Sequence, residues 1–249
     1  MIKDRYFKKG YNQNNKSIKL NNLPFDIFKK MVPSSKEFVD KQFLLLKEEL
    51  TPKELKLNFS HYVQLLHDQI YADFLKIQKT GFNKAFSDDL ESGELSFEKF
   101  DKFFLSLSQS RRVRSGGVFE LIIENLLKFL EYPIDTQKKI DNKRVDFVLP
   151  SVDFYKKNPL NTVLLSAKRT TRERWKQVVP EVSQSNQFYL ATIDKQITSD
   201  QLKEMEKHRV FVINTLQNID SIDHYKNAAN MVSFEHFLDF TLDHQKRTW

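Results

Sequence analysis

Two charged residues stand in strand-like apolar runs, where an unpaired charge would be costly to bury. Asp146 interrupts the run at residues 145–149, and a second run, residues 162–167, ends directly at Lys168. A carboxylate can hold Mg²⁺ beside a phosphate, and a nearby lysine can stabilise charge or orient an attacking water. The pair therefore indicates metal-dependent phosphodiester chemistry.

An Asp on one strand and a Lys at the end of the next is the layout of the PD-(D/E)xK nucleases. In that layout an acid stands two residues before the lysine, but here the position holds Ser166. Glu181, in the helical stretch that follows, could supply the missing metal ligand. Glu120 could also point at the site from an apolar helix predicted over residues 119–130.

The same residues admit a purely structural interpretation. Lys168 would then only cap a strand, and Asp146 would pair with Arg144 or Lys143. The two glutamates would be solvated acids on helix surfaces.

An Arg-Glu-Arg triplet, residues 172–174, stands at a predicted helix start shortly after Lys168. An arginine fork can bind guanine O6 and N7 together, and a glutamate can accept a hydrogen bond from cytosine N4. The triplet is therefore suited to reading C·G pairs in a major groove. The alternative is an ordinary helical charge cluster.

Three blocks of the sequence resemble the EcoRII C-terminal/PspGI/SsoII group of type II restriction endonucleases, within the CCGG-type set. The first block, residues 109–120, is similar to a Q-S-R-x-x-R-x-G-x-x-F-E motif of that group. The second is residues 144–147, and the third runs from residue 166 to residue 177 and on to Glu181. Together they lie within residues 109–181, about a third of the chain. The family's displaced acid follows the lysine on the next helix, as Glu181 does here.

The resemblance implies a fold and a role for each residue. The fold is α/β, with a restriction-endonuclease-like core in which helices flank a small mixed sheet, plus a helical N-terminal part. The catalytic residues would be Asp146, Lys168, Glu181 and Glu120, with Asp146 and Glu181 binding Mg²⁺ and Glu120 supporting the site or a second metal. The DNA-binding residues would be Arg172, Glu173 and Arg174 in the major groove and Gln109 in the minor groove.

One feature of the family is missing from the sequence. Members that cut five-base CCNGG or CCWGG sites flip the central bases into a pocket built from an Arg and an aromatic residue four positions later. This chain has no arginine between Arg5 and Arg111, so the pocket cannot be transferred. Phe59, His61 or Tyr62 could form an aromatic wall instead, or the site is an unflipped CCGG core with flanking bases.

The pattern of apolar residues changes along the chain. Residues 1–105 show helical spacing, including a capped start at Thr51-Pro52, and predict a helical subdomain for DNA contact or dimerisation. Residues 106–249 predict the catalytic core, with strands at 144–149, 162–167, 188–193 and 210–213. Helices are predicted over 172–185, 200–207 and 233–244, while Asp88-Asp89 and Glu91-Ser92-Gly93 indicate a loop.

Composition excludes several other classes of protein. The chain has no Cys, which removes disulfides, thiolate metal sites and Cys nucleophiles. It lacks a P-loop, a GxGxxG motif and an apolar run long enough to span a membrane. The net charge of +7 favours a polyanion as partner, and the polar N-terminus and lack of Cys favour the cytoplasm.

The leading hypothesis is a Mg²⁺-dependent type II restriction endonuclease that cuts double-stranded DNA at a palindrome containing CC·GG. The resemblance implies 5′ overhangs and a cognate DNA methyltransferase as functional partner, and a palindrome calls for a homodimer. One alternative is another PD-(D/E)xK nuclease with a repair or junction-resolving role. The other is a catalytically silent DNA-binding protein on the same fold.

Overall fold

The computed structural model describes residues 31–93, 96–140, 143–171 and 188–249 of the 249-residue chain. The helices are α1 (Ser35–Lys47), α2 (Pro52–Leu57), α3 (Phe59–Ser92), α4 (Phe97–Phe129), α5 (Val152–Lys157), α6 (Ser199–Lys207), α7 (Leu216–Ser221) and α8 (Asp223–Lys226). Near the C-terminus α9 (Phe234–His236) continues as a π-helical stretch (Phe237–Leu242) into α10 (Asp243–Lys246). The strands are β1 (Asp135–Ile140), β2 (Lys143–Leu149), β3 (Val163–Ala167), β4 (Phe188–Ala191), β5 (Val210–Asn214) and β6 (Met231–Ser233).

Side-chain caps begin α1 and α2. Ser34 and Glu37 form a reciprocal capping box at the start of α1. The Thr51 hydroxyl accepts from the amide of Glu54 at 3.2 Å, and Pro52 occupies the first turn of α2, as the sequence predicts.

The loop predicted within residues 88–93 is wrong as far as Ser92, because α3 continues to that residue. Phe82 and Phe86 in this last part of the helix pack against Phe100 of α4, with ring centroids 6.0 and 4.5 Å apart. This aromatic contact stabilises helix where the acidic composition favours a loop. The helix ends at Gly93, whose φ of +73° is the left-handed conformation that glycine adopts readily.

The strands form one six-stranded mixed sheet in the order β1-β2-β3-β4-β5-β6. The pairs β1–β2 and β2–β3 are antiparallel, while β3, β4, β5 and β6 run parallel. This confirms the predicted α/β fold with a small mixed sheet. Strands β1 and β6 are additions, since the sequence pattern predicts neither.

The sheet separates two apolar cores. The first core cluster lies between the sheet and the N-terminal helices, and α4 contributes Phe119, Ile122 and Leu126, all completely buried. The second core cluster covers the opposite face and includes Leu202 and Met205 of α6. Helix α4 runs uninterrupted through residue 105, where the sequence pattern changes, so one helix connects the N-terminal helices to the sheet. In the part of the chain that the structure describes, no helix combines the length and apolar character needed to cross a membrane.

Phe119→Ala should lower the free energy of unfolding by about 3–5 kcal/mol, because the ring is 0% exposed and its removal leaves a cavity beneath the sheet. The matched control is Phe97→Ala on the same helix, where the ring is 87% exposed. It should change the free energy by no more than about 0.5 kcal/mol. Urea unfolding followed by circular dichroism measures both, and equal losses would contradict this assignment of the core.

Candidate active site

Neighbouring strands bring the predicted Asp and Lys together. Asp146 lies in β2, and Lys168 is the residue after the end of β3. The backbone amide of Lys168 donates to the carbonyl of Ala191 in β4 at 2.9 Å, which extends the sheet ladder to the lysine. Its Nζ then lies 2.8 Å from Asp146 Oδ2. The charged partner of Asp146 is therefore Lys168 rather than Arg144, while the side chain of Lys143 lies outside the described residues.

Helix α4 supplies the second carboxylate. Glu120 follows the buried Phe119, and burial of that ring directs this turn of the helix onto the sheet. Glu120 Oε1 accepts a hydrogen bond from Lys168 Nζ at 2.9 Å, so one ammonium bridges both carboxylates. Three of the four predicted catalytic residues thus form one cluster.

The other carboxylate oxygens are also hydrogen-bonded. Nε2 of Gln137, in β1, donates to Glu120 Oε2 at 3.0 Å and to Asp146 Oδ1 at 3.3 Å. The backbone amide of Ala167 donates to Asp146 Oδ2 at 3.0 Å. Every oxygen of the two carboxylates therefore has a donor, as a partly buried charged site requires.

The surroundings of the cluster raise the pKa values of both Glu120 and Lys168, which favours a neutral acid and a charged lysine. Burial and the negative charge of Asp146 raise the pKa of Glu120 above its usual value, against the opposing effect of Lys168. Burial alone would lower the pKa of Lys168, but the charges and hydrogen bonds of Asp146 and Glu120 outweigh it and raise that pKa. Lys168 is accordingly a full cation at neutral pH.

Of the remaining predicted site residues, the structure describes Gln109. It is exposed on α4, eleven residues before Glu120, or about 16 Å along the helix axis. The metal ligand predicted at Glu181 and the base-reading residues Arg172, Glu173 and Arg174 lie outside the described residues.

A buried aspartate fixes the stretch that leads towards residue 172. Asp194 Oδ2 accepts from the backbone amide of Thr171 at 2.8 Å and from its hydroxyl at 3.1 Å. The hydroxyl of Thr192 donates to the carbonyl of Arg169 at 3.1 Å. Neither Asp194 nor Gln137 was predicted from the sequence as a site residue. The only signal for Asp194 was an acid directly after an apolar strand, and Gln137 had none.

A cavity of about 430 Å³ opens between α1, α3, α4 and the residue after Lys168. Its wall includes His67 and Tyr71, four residues apart on α3, and Arg169. Burial lowers the pKa of His67, despite its 3.1 Å contact with Asp68.

The three residues suggested as an aromatic wall do not line this cavity. Phe59 is buried against Phe234, with ring centroids 5.5 Å apart. The rings of His61 and Tyr62 pack edge to face. The hydroxyl of Tyr62 donates a hydrogen bond to Glu54 Oε1 at 3.0 Å.

Fold and site together match one known family. A family model described as EcoRII C terminal matches residues 78–238, about two thirds of the chain. The chain belongs to the EcoRII C-terminal family. The matched range includes the carboxylate–lysine cluster and the predicted residues 172–174 and Glu181.

Individual relatives agree with this family. SsoII, a type II restriction enzyme of Shigella sonnei, is 36% identical over 156 residues, which are 58% of this chain and 50% of SsoII. The chain thus spans about half the length of this curated relative. A structure of metal-depleted Ecl18kI in complex with uncleaved DNA matches with a TM-score of 0.77 and 28% identity, over 91% of this chain and 83% of Ecl18kI. A PspGI–substrate DNA complex matches with a TM-score of 0.71 over 88% of this chain and 96% of PspGI, and at 19% identity shows a shared fold.

The pKa of Glu120 leads to a testable effect on stability. Because that pKa lies above 4.5 in the folded protein, the stability contributed by the protonated acid is present below 4.5 and is lost as pH rises through the folded-state value. Glu120→Gln imitates the protonated acid. In EDTA, the free energy of unfolding of this variant relative to wild type should therefore rise between about pH 4 and pH 7, as measured by urea unfolding.

Glu98→Gln on the same helix is the control. A hydrogen bond from Lys102 lowers the pKa of Glu98, so this variant should lose stability relative to wild type over the same pH range. Parallel pH profiles for the two variants would show that the environment of Glu120 is not as described.

Proposed function

We propose that this protein is a Mg²⁺-dependent type II restriction endonuclease that cuts both strands of a short palindromic site containing CC·GG, leaving 5′ overhangs. The carboxylate–lysine cluster of Asp146, Glu120 and Lys168, on a fold shared with restriction endonucleases, is the observation that carries the proposal.

The donor atoms of the cluster fit a hard divalent cation. Mg²⁺ is commonly bound by one or two carboxylates together with substrate phosphates, rather than by an all-protein cage. Asp146 and Glu120 supply two such carboxylates, although no group of three or more His, Cys, Asp or Glu suited to a metal occurs among the described residues. Glu181 is proposed as the further ligand.

The protein groups have distinct roles in this proposal. A bound cation would neutralise phosphate charge and favour ionisation of a water molecule. Asp146, whose carboxylate accepts a hydrogen bond from the amide of Ala167, would bind the cation. Lys168 remains protonated beside it and would stabilise the negative charge that develops on the phosphate during hydrolysis.

Base recognition is assigned to Arg172, Glu173 and Arg174 in the major groove, with Gln109 in the minor groove. The anchoring of Thr171 by Asp194 supports this assignment, because it fixes the chain one residue before the triplet. Hydrogen bonds to base edges need such fixed donors, since about 1–3 kcal/mol of discrimination depends on two parallel contacts per arginine.

The cavity supports the five-base alternatives, CCNGG or CCWGG, over an unflipped CCGG core. Two residues that line it, His67 and Tyr71, are four positions apart in the sequence. The Arg and the aromatic residue of the family's base pocket have the same spacing. With its lowered pKa, His67 offers a flat uncharged ring rather than a cation. Sequencing the cleavage ends of a plasmid cut in Mg²⁺ decides between these sites, and ends mapped only to CCGG would exclude a role for the cavity.

A palindromic site implies a homodimer, in which each subunit reads one half-site. The helical part, residues 1–105, is proposed to contribute to dimer or DNA contacts. Large exposed side chains there, such as Leu44, Leu45 and Phe97, support this because apolar surface favours association. A cognate methyltransferase is implied as well, because the enzyme's own sites in cytoplasmic DNA would otherwise be cut.

Plasmid digestion also separates the alternative functions. Discrete bands identify a restriction enzyme, whereas a smear or a preference for branched DNA identifies another nuclease of this fold. Binding without cleavage at any divalent metal concentration identifies a silent DNA-binding protein.

Asp146→Ala should abolish cleavage and leave DNA binding measurable, because the cation site is lost while the base-reading triplet is intact. Glu181→Ala should behave in the same way, and Ser166→Glu in that background should restore part of the activity. Asp153→Ala is the control, since that acid is exposed on α5 with a side chain 87% accessible. Plasmid cleavage in Mg²⁺ and gel-shift binding in Ca²⁺ measure the effects. Near wild-type cleavage by Asp146→Ala would refute the site.

Arg172→Ala or Arg174→Ala should each remove about 1–3 kcal/mol of discrimination between a CC·GG duplex and one with a swapped C·G pair. Lysine should rescue neither, because an ammonium lacks the planar fork. Lys138→Ala and Lys139→Ala are controls on an exposed strand and should weaken binding to both duplexes alike. Competition binding in Ca²⁺ measures the ratio. Unchanged discrimination in both arginine variants would place base reading elsewhere.

A further inference from the structure

Among the described residues, two side chains donate hydrogen bonds to both carboxylates of the cluster. They are Lys168 and Gln137. Nε2 of Gln137 lies 3.0 Å from Glu120 Oε2 and 3.3 Å from Asp146 Oδ1. Lys168 holds the opposite oxygens, Oε1 and Oδ2. Since carboxylates only accept hydrogen bonds, the amide must present its two N–H groups here, one to each acid.

The backbone of Gln137 has an unfavourable conformation for a residue with a side chain. Its φ is +53°, in the left-handed region, although it belongs to an edge strand. Such a conformation costs free energy for a non-glycine residue and persists where the surrounding structure enforces it. Glycine would adopt it without this cost.

Strand β2 is irregular around Asp146, the residue opposite Gln137. Val145 and Val148 both lie in the second core cluster, whereas Phe147 between them lies in the first. Residues three apart in a regular strand face opposite sides, so alternation is broken within this stretch. The register pairs Thr136 with Phe147 and Lys138 with Val145, which sets Gln137 opposite Asp146. The left-handed residue and the irregular one therefore belong to a single local arrangement.

The chemistry of an amide suits this position better than that of a second cation. With both acids ionised, two carboxylates against one ammonium would leave one negative charge in the cluster. An arginine or lysine in place of Gln137 would cancel that charge and compete with a metal ion for the same oxygens. A neutral donor holds the two acids at a fixed separation and keeps the negative charge.

We propose that Gln137 is a positioning residue that fixes the carboxylates of Glu120 and Asp146 for binding of a divalent cation. It acts through the two acids and does not itself ligate the metal. The inference rests on the proposed function, because it presumes that these carboxylates receive a cation.

The experiment measures binding of Mn²⁺ to the full chain without DNA, from the loss of the free-ion electron paramagnetic resonance signal. The site is defined as the binding that Asp146→Ala removes. Gln137→Ala and Gln137→Gly should each weaken that binding about 10–100-fold, the usual effect of removing a residue that orients a metal ligand. The Mg²⁺ concentration for half-maximal plasmid cleavage should rise by a similar factor, with the rate at saturating Mg²⁺ close to wild type.

The glycine variant guards against a folding defect, because it removes the amide and relieves the backbone strain together. It should unfold at a urea concentration no lower than wild type. Arg209→Gly is the matched control, since Arg209 is exposed and also left-handed, with a φ of +56°, but lies in the turn between α6 and β5. It should bind Mn²⁺ as wild type does.

The outcomes separate the inference from the function beneath it. Wild-type Mn²⁺ binding by Gln137→Gly, with binding lost in Asp146→Ala, would overturn the role of Gln137 and leave the metal site standing. Mn²⁺ binding that is unchanged in Asp146→Ala would overturn the metal site and the inference with it. Equal weakening in Arg209→Gly would show a general effect of the backbone and also overturn the inference.

Discussion

The carboxylates of Glu120 and Asp146 repel each other when both are charged, yet the site requires them to lie close together. The surrounding helix and strands meet that constraint. Lys168 bridges one oxygen of each acid, and Gln137 bridges the other. The four side chains come from one helix, two strands and the residue that follows a third strand. Small shifts of any of these elements would therefore leave a partly buried charge without its partner, which is costly.

Apolar packing supplies the free energy that keeps these elements in place. Phe119 precedes Glu120 and Phe147 follows Asp146, and both rings are buried in the first core cluster. Each acid is thus next in sequence to an anchor that burial orients. Because α4 also packs against the N-terminal helices, the core that orders those helices also positions Glu120.

The site itself works against stability. Burial raises the pKa of Glu120, which means that its charged form is disfavoured in the fold, and Gln137 holds a left-handed backbone within a strand. Proteins retain such features where a function selects them and the surrounding core compensates.

Local signals in the sequence determined a large part of this structure. Apolar runs and capping residues predicted β2, β3, β5 and α6 within two residues, and the positions of Asp146 and Lys168 indicated a shared site. Edge strand β1 was missed, because its polar residues form a strand only through pairing with β2. The sequence also suggested Glu120, but tertiary structure decided that it contacts Lys168 and that Gln137 joins the cluster. Such contacts depend on the packing of distant elements, which leaves no periodic trace in the chain.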